Sequence, residues 1–221
     1  MNIEFKNKTV LITAGSKGIG FELAKQFLIE NANVCICSRN QKNLDTAQKT
    51  LLKFCDPKKL LIIKHDISNI KGHIKVIKKI RKKFKKDIDI LINNSGGPPP
   101  KEAIHANLTD WKKALNTNLL SAVSFSKIVI NNMKKNKWGR IINLTSTTAK
   151  EPAKNMVLSN VTRAALTSFS KTLSLEVADY GITVNTILTG GCMTDRFLGL
   201  VKKNTKTKKE FKNNLKNIIS Q

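Results

Sequence analysis

The chain has 221 residues, 40% of them hydrophobic, which is enough apolar material for one sizeable core and the ordinary fraction for a soluble globular protein. No apolar run approaches the roughly 20 residues of a membrane span, and the four cysteines and three histidines form no zinc-like spacing, so a metal site and a membrane anchor are not expected. The formal net charge of +25 would suit nucleic acid, but lysine, asparagine and isoleucine are abundant throughout, so nucleic-acid binding is not expected from charge alone.

Six short apolar runs punctuate the sequence: TVLIT (9–13), NVCICS (33–38), LLIIKH (60–65), DILINN (89–94), GRIINLT (139–145) and ITVNTIL (182–188). Each is predicted to be a buried strand. Cys35 and Cys37 alternate within the second and read as small core residues of a reducing compartment. Between the strands lie helical periodicities. The first carries Ile19, Leu23, Phe27 and Leu28. The third, in KVIKKIRKKFKKD, places Ile74, Ile77, Ile80 and Phe84 on a core face and its lysines in solvent, with His73 opening the helix on the solvated side. The fourth is expected to begin at Thr109, after Leu108.

Strand and helix alternate, which requires right-handed crossovers and gives a doubly wound α/β fold, a parallel sheet in the order 3-2-1-4-5-6 with helices on both faces. A single domain over residues 1–221 is expected, with 195–221 as a lysine-rich helical tail, in the cytoplasm. GGPPP (96–100) is a stiff loop at the carboxyl edge of the sheet, where ligands bind in such folds.

TAGSKGIG (13–20) falls between the first strand and first helix, so Gly15, Ser16, Lys17, Gly18, Ile19 and Gly20 are candidates to cradle a pyrophosphate against helical N–H groups. The end of the second strand carries Ser38 and Arg39 where an NAD-binding fold usually has an acid. A cation there suits the 2′-phosphate of NADP(H), and Lys17 is near enough in sequence to join it.

These features occur with HDIS (65–68), NNSG (93–96), LNTNLLSA (115–122), GRIINLTS (139–146) and GITVNTILTGG (181–191) in one order. Over about residues 6 to 196 the chain resembles the short-chain dehydrogenase/reductases, particularly those of the 3-oxoacyl-acyl-carrier-protein reductase type. The resemblance implies that Asp66 and Ile67 border the adenine, that Asn94, Ser95 and Gly96 line the nucleotide, and that Gly190 and Thr194 meet the nicotinamide half. It implies that Asn118, in the fourth helix, holds a water of the proton relay and that Ser146 hydrogen-bonds the substrate carbonyl.

By the same alignment Ser159 and Arg163 stand where the family has its tyrosine and lysine. Tyrosine can be tuned toward neutrality and act as a general acid; serine cannot, and arginine keeps its charge but passes no proton onward. Tyr180, the only tyrosine, lies about 30 Å along the same helix and His105 reads as a loop residue, so neither is the missing donor. Ala14 replaces the family's first glycine, Thr189 its proline before Gly190, and the family's last helix and seventh strand are not expected within these 221 residues.

Two functions follow from the resemblance. One is NADPH-dependent reduction of a carbonyl, a 3-oxoacyl thioester or similar ketone, with Asn118, Ser146, Ser159 and Arg163 at an atypical site. The other is a catalytically impaired nucleotide-binding homologue serving as sensor or partner subunit. A homodimer through the fourth and fifth helices is expected in either case.

Overall fold

The computed structural model describes residues 5–203, 205, 207 and 210–213, so most of the tail beyond 203 lies outside the described residues. Six strands, β1 (Thr9–Thr13), β2 (Asn33–Ser38), β3 (Leu60–Lys64), β4 (Ile90–Asn93), β5 (Gly139–Ser146) and β6 (Ile182–Thr189), form one sheet. All neighbouring pairs are parallel and the order is β3-β2-β1-β4-β5-β6, as the alternation requires.

Every residue of β1 is buried because both faces of the strand are covered. Val10 and Ile12 face one core, closed by Ala24 and Leu28 of α1 (Gly18–Ile29) and by Leu44, Ala47 and Leu51 of α2 (Gln41–Leu51). Leu11 faces the other, closed by α3 (His73–Phe84), α5 (Ser121–Lys135) and α6 (Val157–Val177). Cys35 and Cys37 belong to this second core and are fully buried, which raises both thiols far above their ordinary range, Cys37 to about 12.

Three sequence expectations change. Ile74 is 55% exposed, whereas His73 and Val76 are buried with Ile77 and Ile80, so the core stripe of α3 is rotated by one position at its start. His73 is not solvated: its ring stacks on Phe125 with centroids 3.7 Å apart, and its two nitrogens meet Ile67 O and Ser124 Oγ, each at 2.9 Å. A period count cannot detect a histidine whose polar atoms are satisfied inside. The fourth helix starts at Leu108, capped by Asn107. The Asn107 side chain accepts from Asp110 N–H and the Asp110 carboxylate accepts from Asn107 N–H, leaving Leu108 76% exposed.

That helix is also interrupted. α4 (Leu108–Leu115) passes through a π-helical turn at Asn116–Leu120 before α5 continues the same rod. Asn118 therefore sits in a wide turn rather than in regular α-helix, in a type of irregularity that proteins often place at functional sites.

Candidate active site

The strand ends on the carboxyl side of β1, β4, β5 and β6 meet the N-termini of α1 and α6. The turn after β1 is held from two directions. Gly15 N–H donates to Cys37 O at 3.1 Å, and the Ser16 hydroxyl donates to Ser38 Oγ at 2.9 Å, which ties the glycine turn to the end of β2. Thr13 Oγ1 accepts from Asn94 N–H (2.8 Å) and donates to Asn94 O (2.6 Å), so the ends of β1 and β4 are pinned together. Asn94 then donates its amide to Ala14 O at 3.2 Å. A Cβ on Gly20 would come within 2.6 Å of that amide, so only glycine allows the helix start to approach this closely.

Helix α1 begins at Gly18 with no side chain capping it and no acid in its first turn, so its free N–H groups and positive dipole end face outward. Arg39 is exposed at the end of β2. Asp66, beyond β3, lies within reach of that charge. Burial alone would raise the Asp66 carboxyl, but hydrogen bonds from Ser68 N–H and Oγ–H, together with Arg39, hold it below its ordinary value. Ile67 beside it is buried. Open amides and a cation in place of an acid match the donor set that a phosphorylated dinucleotide needs.

From Ile19 at the start of α1 an open cleft of about 190 Å³ runs to the start of α6. Of the residues predicted for the site, Ile19, Asn94, Ser95, Ser146, Ser159, Arg163, Gly190 and Thr194 line it. Gly15, Ser16, Lys17, Gly18, Gly20, Ser38, Arg39, Asp66, Ile67 and Gly96 lie outside its lining. Asn118 also lies outside it, and both ends of its amide are engaged: Oδ1 accepts from Ser95 Oγ (2.9 Å) and Nδ2 donates to Ala114 O (3.1 Å).

Ser159 and Arg163 fall on one face of α6, one turn apart, and each is 6% exposed. Arg163 donates from Nη1 to Leu144 O (2.6 Å) and from Nη2 to Ser95 O (3.3 Å), while Nε has no partner among the described residues. Burial, and then repulsion from Arg196, lower its guanidinium to about 10, so it remains charged at neutral pH. Ser146 accepts from Thr148 N–H at 3.3 Å and keeps its hydroxyl proton for the cleft. Thr189 donates to Thr145 O at 2.9 Å, which fastens the end of β6 to that of β5.

Sequence reading missed the outer wall. Helix α7 (Asp195–Lys203) brings Arg196, Phe197 and Leu200 to the cleft. Thr194 Oγ1 accepts from Phe197 N–H (3.3 Å), a side-chain cap that fixes where the helix starts. Arg196 donates from Nη2 to Pro98 O at 3.0 Å, and the loop that presents Pro98 is itself anchored: Lys101 N–H donates to Asn155 O at 2.7 Å, just before α6. A helical tail from residue 195 was expected from the sequence; that its first turns reach the cleft was not. His105, by contrast, is exposed and paired with Glu102, away from the cleft lining.

The short-chain dehydrogenase family matches residues 8–205, and the chain belongs to that family. Among individual relatives, the 3-oxoacyl-acyl-carrier-protein reductase of Buchnera aphidicola (subspecies Baizongia pistaciae) is 35% identical over 184 residues, covering 83% of this chain and 73% of the relative. An NADPH-dependent reductase of Bacillus subtilis, BacG, is 28% identical over 207 residues, 92% of this chain and 80% of BacG. L-Sorbose reductase of Gluconobacter frateurii, solved in complex with NADPH and L-sorbose, superposes with a TM-score of 0.91 at 29% identity, covering 99% of this chain and 82% of that one.

Proposed function

We propose that this chain is an NADPH-dependent reductase of a carbonyl compound, a ketone of the 3-oxoacyl kind, with a serine and an arginine at the head of α6 in place of the family's tyrosine and lysine. The observation that carries the reading is the cleft itself, which brings Ile19 at the start of α1 together with Ser146, Ser159 and Arg163. The names of the relatives, reductases using NADPH or acting on 3-oxoacyl groups, support the same class.

The glycine turn, Ser38 and Arg39 would hold the adenosine and phosphates, and Gly190 and Thr194 the nicotinamide end. Bound there, NADPH supplies a hydride. Ser146 and Ser159 donate hydrogen bonds to the carbonyl oxygen, and the fixed charge of Arg163 stabilises the oxygen as negative charge develops on it. Neither serine is acidic enough to yield its proton at neutral pH, so the proton reaches the oxygen from water. Asn118 Oδ1, which already accepts from Ser95, keeps a second lone pair with which to orient that water. The remaining surface of α6 exposes Val161 (45%) and Leu175 (67%), which supports a homodimer through this helix; a monomer by sedimentation equilibrium would remove that part of the proposal.

The test is NADPH oxidation with a panel of 3-oxo esters, diketones and oxo acids. The wild type should consume NADPH with at least one of them, and Ser159→Ala should lower kcat by about tenfold or more, the loss expected for one transition-state hydrogen bond, while NADPH affinity is unchanged. A silent wild type, together with activity gained by the Ser159→Tyr, Arg163→Lys double variant, would instead make the chain a nucleotide-binding relative without its acid.

A further inference from the structure

Two guanidiniums line one cleft beside the loop at Ser95 to Pro98. Arg163 is buried in the floor and Arg196 reaches over from α7, close enough that its charge lowers the Arg163 guanidinium. No aspartate or glutamate lines the cleft among the described residues. The nearest acid in sequence, Asp195, is turned away to Lys17 at 3.8 Å. Like charges this close repel; Arg196 is exposed at the cleft mouth, where water or a bound anion relieves that cost.

The hydrogen bonds indicate which arginine does the binding. Arg163 is 6% exposed and gives one N–H from each Nη to the backbone carbonyls Leu144 O and Ser95 O, which hold its guanidinium inside the fold. Arg196 spends one donor on Pro98 O, and the rest of its planar fork remains for a ligand. Its guanidinium lies directly against Gly97: a Cβ there would come within 2.6 Å of Nη2. This glycine and the Pro98 contact hold the fork at the mouth of the cleft, beside the Phe197 and Leu200 side chains that supply an apolar wall.

We infer that the substrate is a ketone bearing a carboxylate, and that Arg196 binds the carboxylate while Arg163 adds its field from beneath. The inference rests on the carbonyl-reductase reading and narrows it: an oxo acid, not a neutral ester or thioester, complements the cleft. A planar guanidinium fork recognises a planar carboxylate with two parallel N–H···O bonds, and the partly desolvated wall strengthens them. The competing source of negative charge is the pyrophosphate of the cofactor itself, since Thr194, two residues before Arg196, lies over Gly18 of the glycine turn.

Calorimetric titration of the full chain with acetoacetate and with methyl acetoacetate, each with and without saturating NADP+, separates these possibilities, because no turnover is needed. Acetoacetate should bind about tenfold or more tightly than its methyl ester, the effect of one charge-assisted bidentate contact. Arg196→Gln should bring the two ligands to about equal affinity, and Arg196→Lys should retain part of the preference. Equal affinities in the wild type, or a preference that survives in Arg196→Gln, would overturn the inference. So would an Arg196→Gln variant that loses NADP+ affinity with its acid-to-ester ratio unchanged, since the anion would then be the cofactor's. A wild type that binds acetoacetate selectively but never oxidises NADPH with it would leave the anion site standing and defeat the reductase reading alone.

Discussion

Ala14 occupies the left-handed region, with φ of +47°, at the turn between β1 and α1. A residue with a Cβ pays about 1–2 kcal/mol there, and glycine removes that strain while losing roughly 0.5–1 kcal/mol more chain entropy on folding. Ala14→Gly should therefore stabilise the chain by about 0.5–1 kcal/mol and raise Tm by about 2 °C for a domain of this size. Thermal denaturation followed by circular dichroism measures it, and a lower Tm would show that the Ala14 methyl makes contacts worth more than its strain. The alanine was visible in the sequence as a departure; its backbone angle was not, because only the three-point attachment through Gly15, Ser16 and Asn94 imposes it. The same is true of Arg163. Its place one turn after Ser159 followed from spacing, whereas its two backbone acceptors come from the ends of β4 and β5, far away in sequence.

At the scale of elements, His73 joins the start of α3 to α5. Nε2 faces a carbonyl, Ile67 O, and must carry the proton; Nδ1 then accepts from the Ser124 hydroxyl. The neutral ring is thus the one the fold requires, and burial lowers its pKa to about 4, with the neighbouring His65 lowering it further and the bond to Ile67 O opposing. A folded pKa below the unfolded value of about 6.5 means that the unfolded chain binds the extra proton first. The contribution to stability is present above pH 6.5 and is lost as pH falls toward 4, by up to roughly 3 kcal/mol. Urea unfolding at a series of pH values across this window should show a steeper fall for the wild type than for His73→Gln, by about one proton. Identical slopes would mean that His73 is protonated in the fold. Strands and their order were legible because an apolar run buried on both faces has few alternatives. The register of α3 was not, since a buried histidine and an exposed isoleucine invert the usual pattern and only the Phe125 ring explains the exchange.

Across the whole molecule, the parallel sheet and the glycine turn after β1 followed from alternation and glycine placement, whereas the candidate residues Asn118, Ser146, Ser159 and Arg163 came from the family resemblance. What did not follow was where the expected helical tail docks, because long-range contacts position α7: Lys17 with Asp195, and Arg196 with Pro98 O, 98 residues apart. No helix among the described residues is long and apolar enough to cross a membrane. The net charge of +25 spreads over the surface and favours anionic ligands in general, so discrimination between cofactors has to come from local placement. Arg39, exposed at the end of β2 and near enough to Asp66 to lower its carboxyl, is the residue that local placement singles out.

We propose that a phosphorylated nicotinamide dinucleotide occupies the path from Arg39 to Thr194. Fluorescence titration with NADPH and NADH in parallel, on the wild type and on Arg39→Ala, tests it most directly. NADPH should bind about tenfold or more tightly than NADH, the effect of one guanidinium–phosphate contact, and Arg39→Ala should remove this preference while leaving NADH binding unchanged. Equal binding of the two nucleotides by the wild type, or binding of neither, would contradict it.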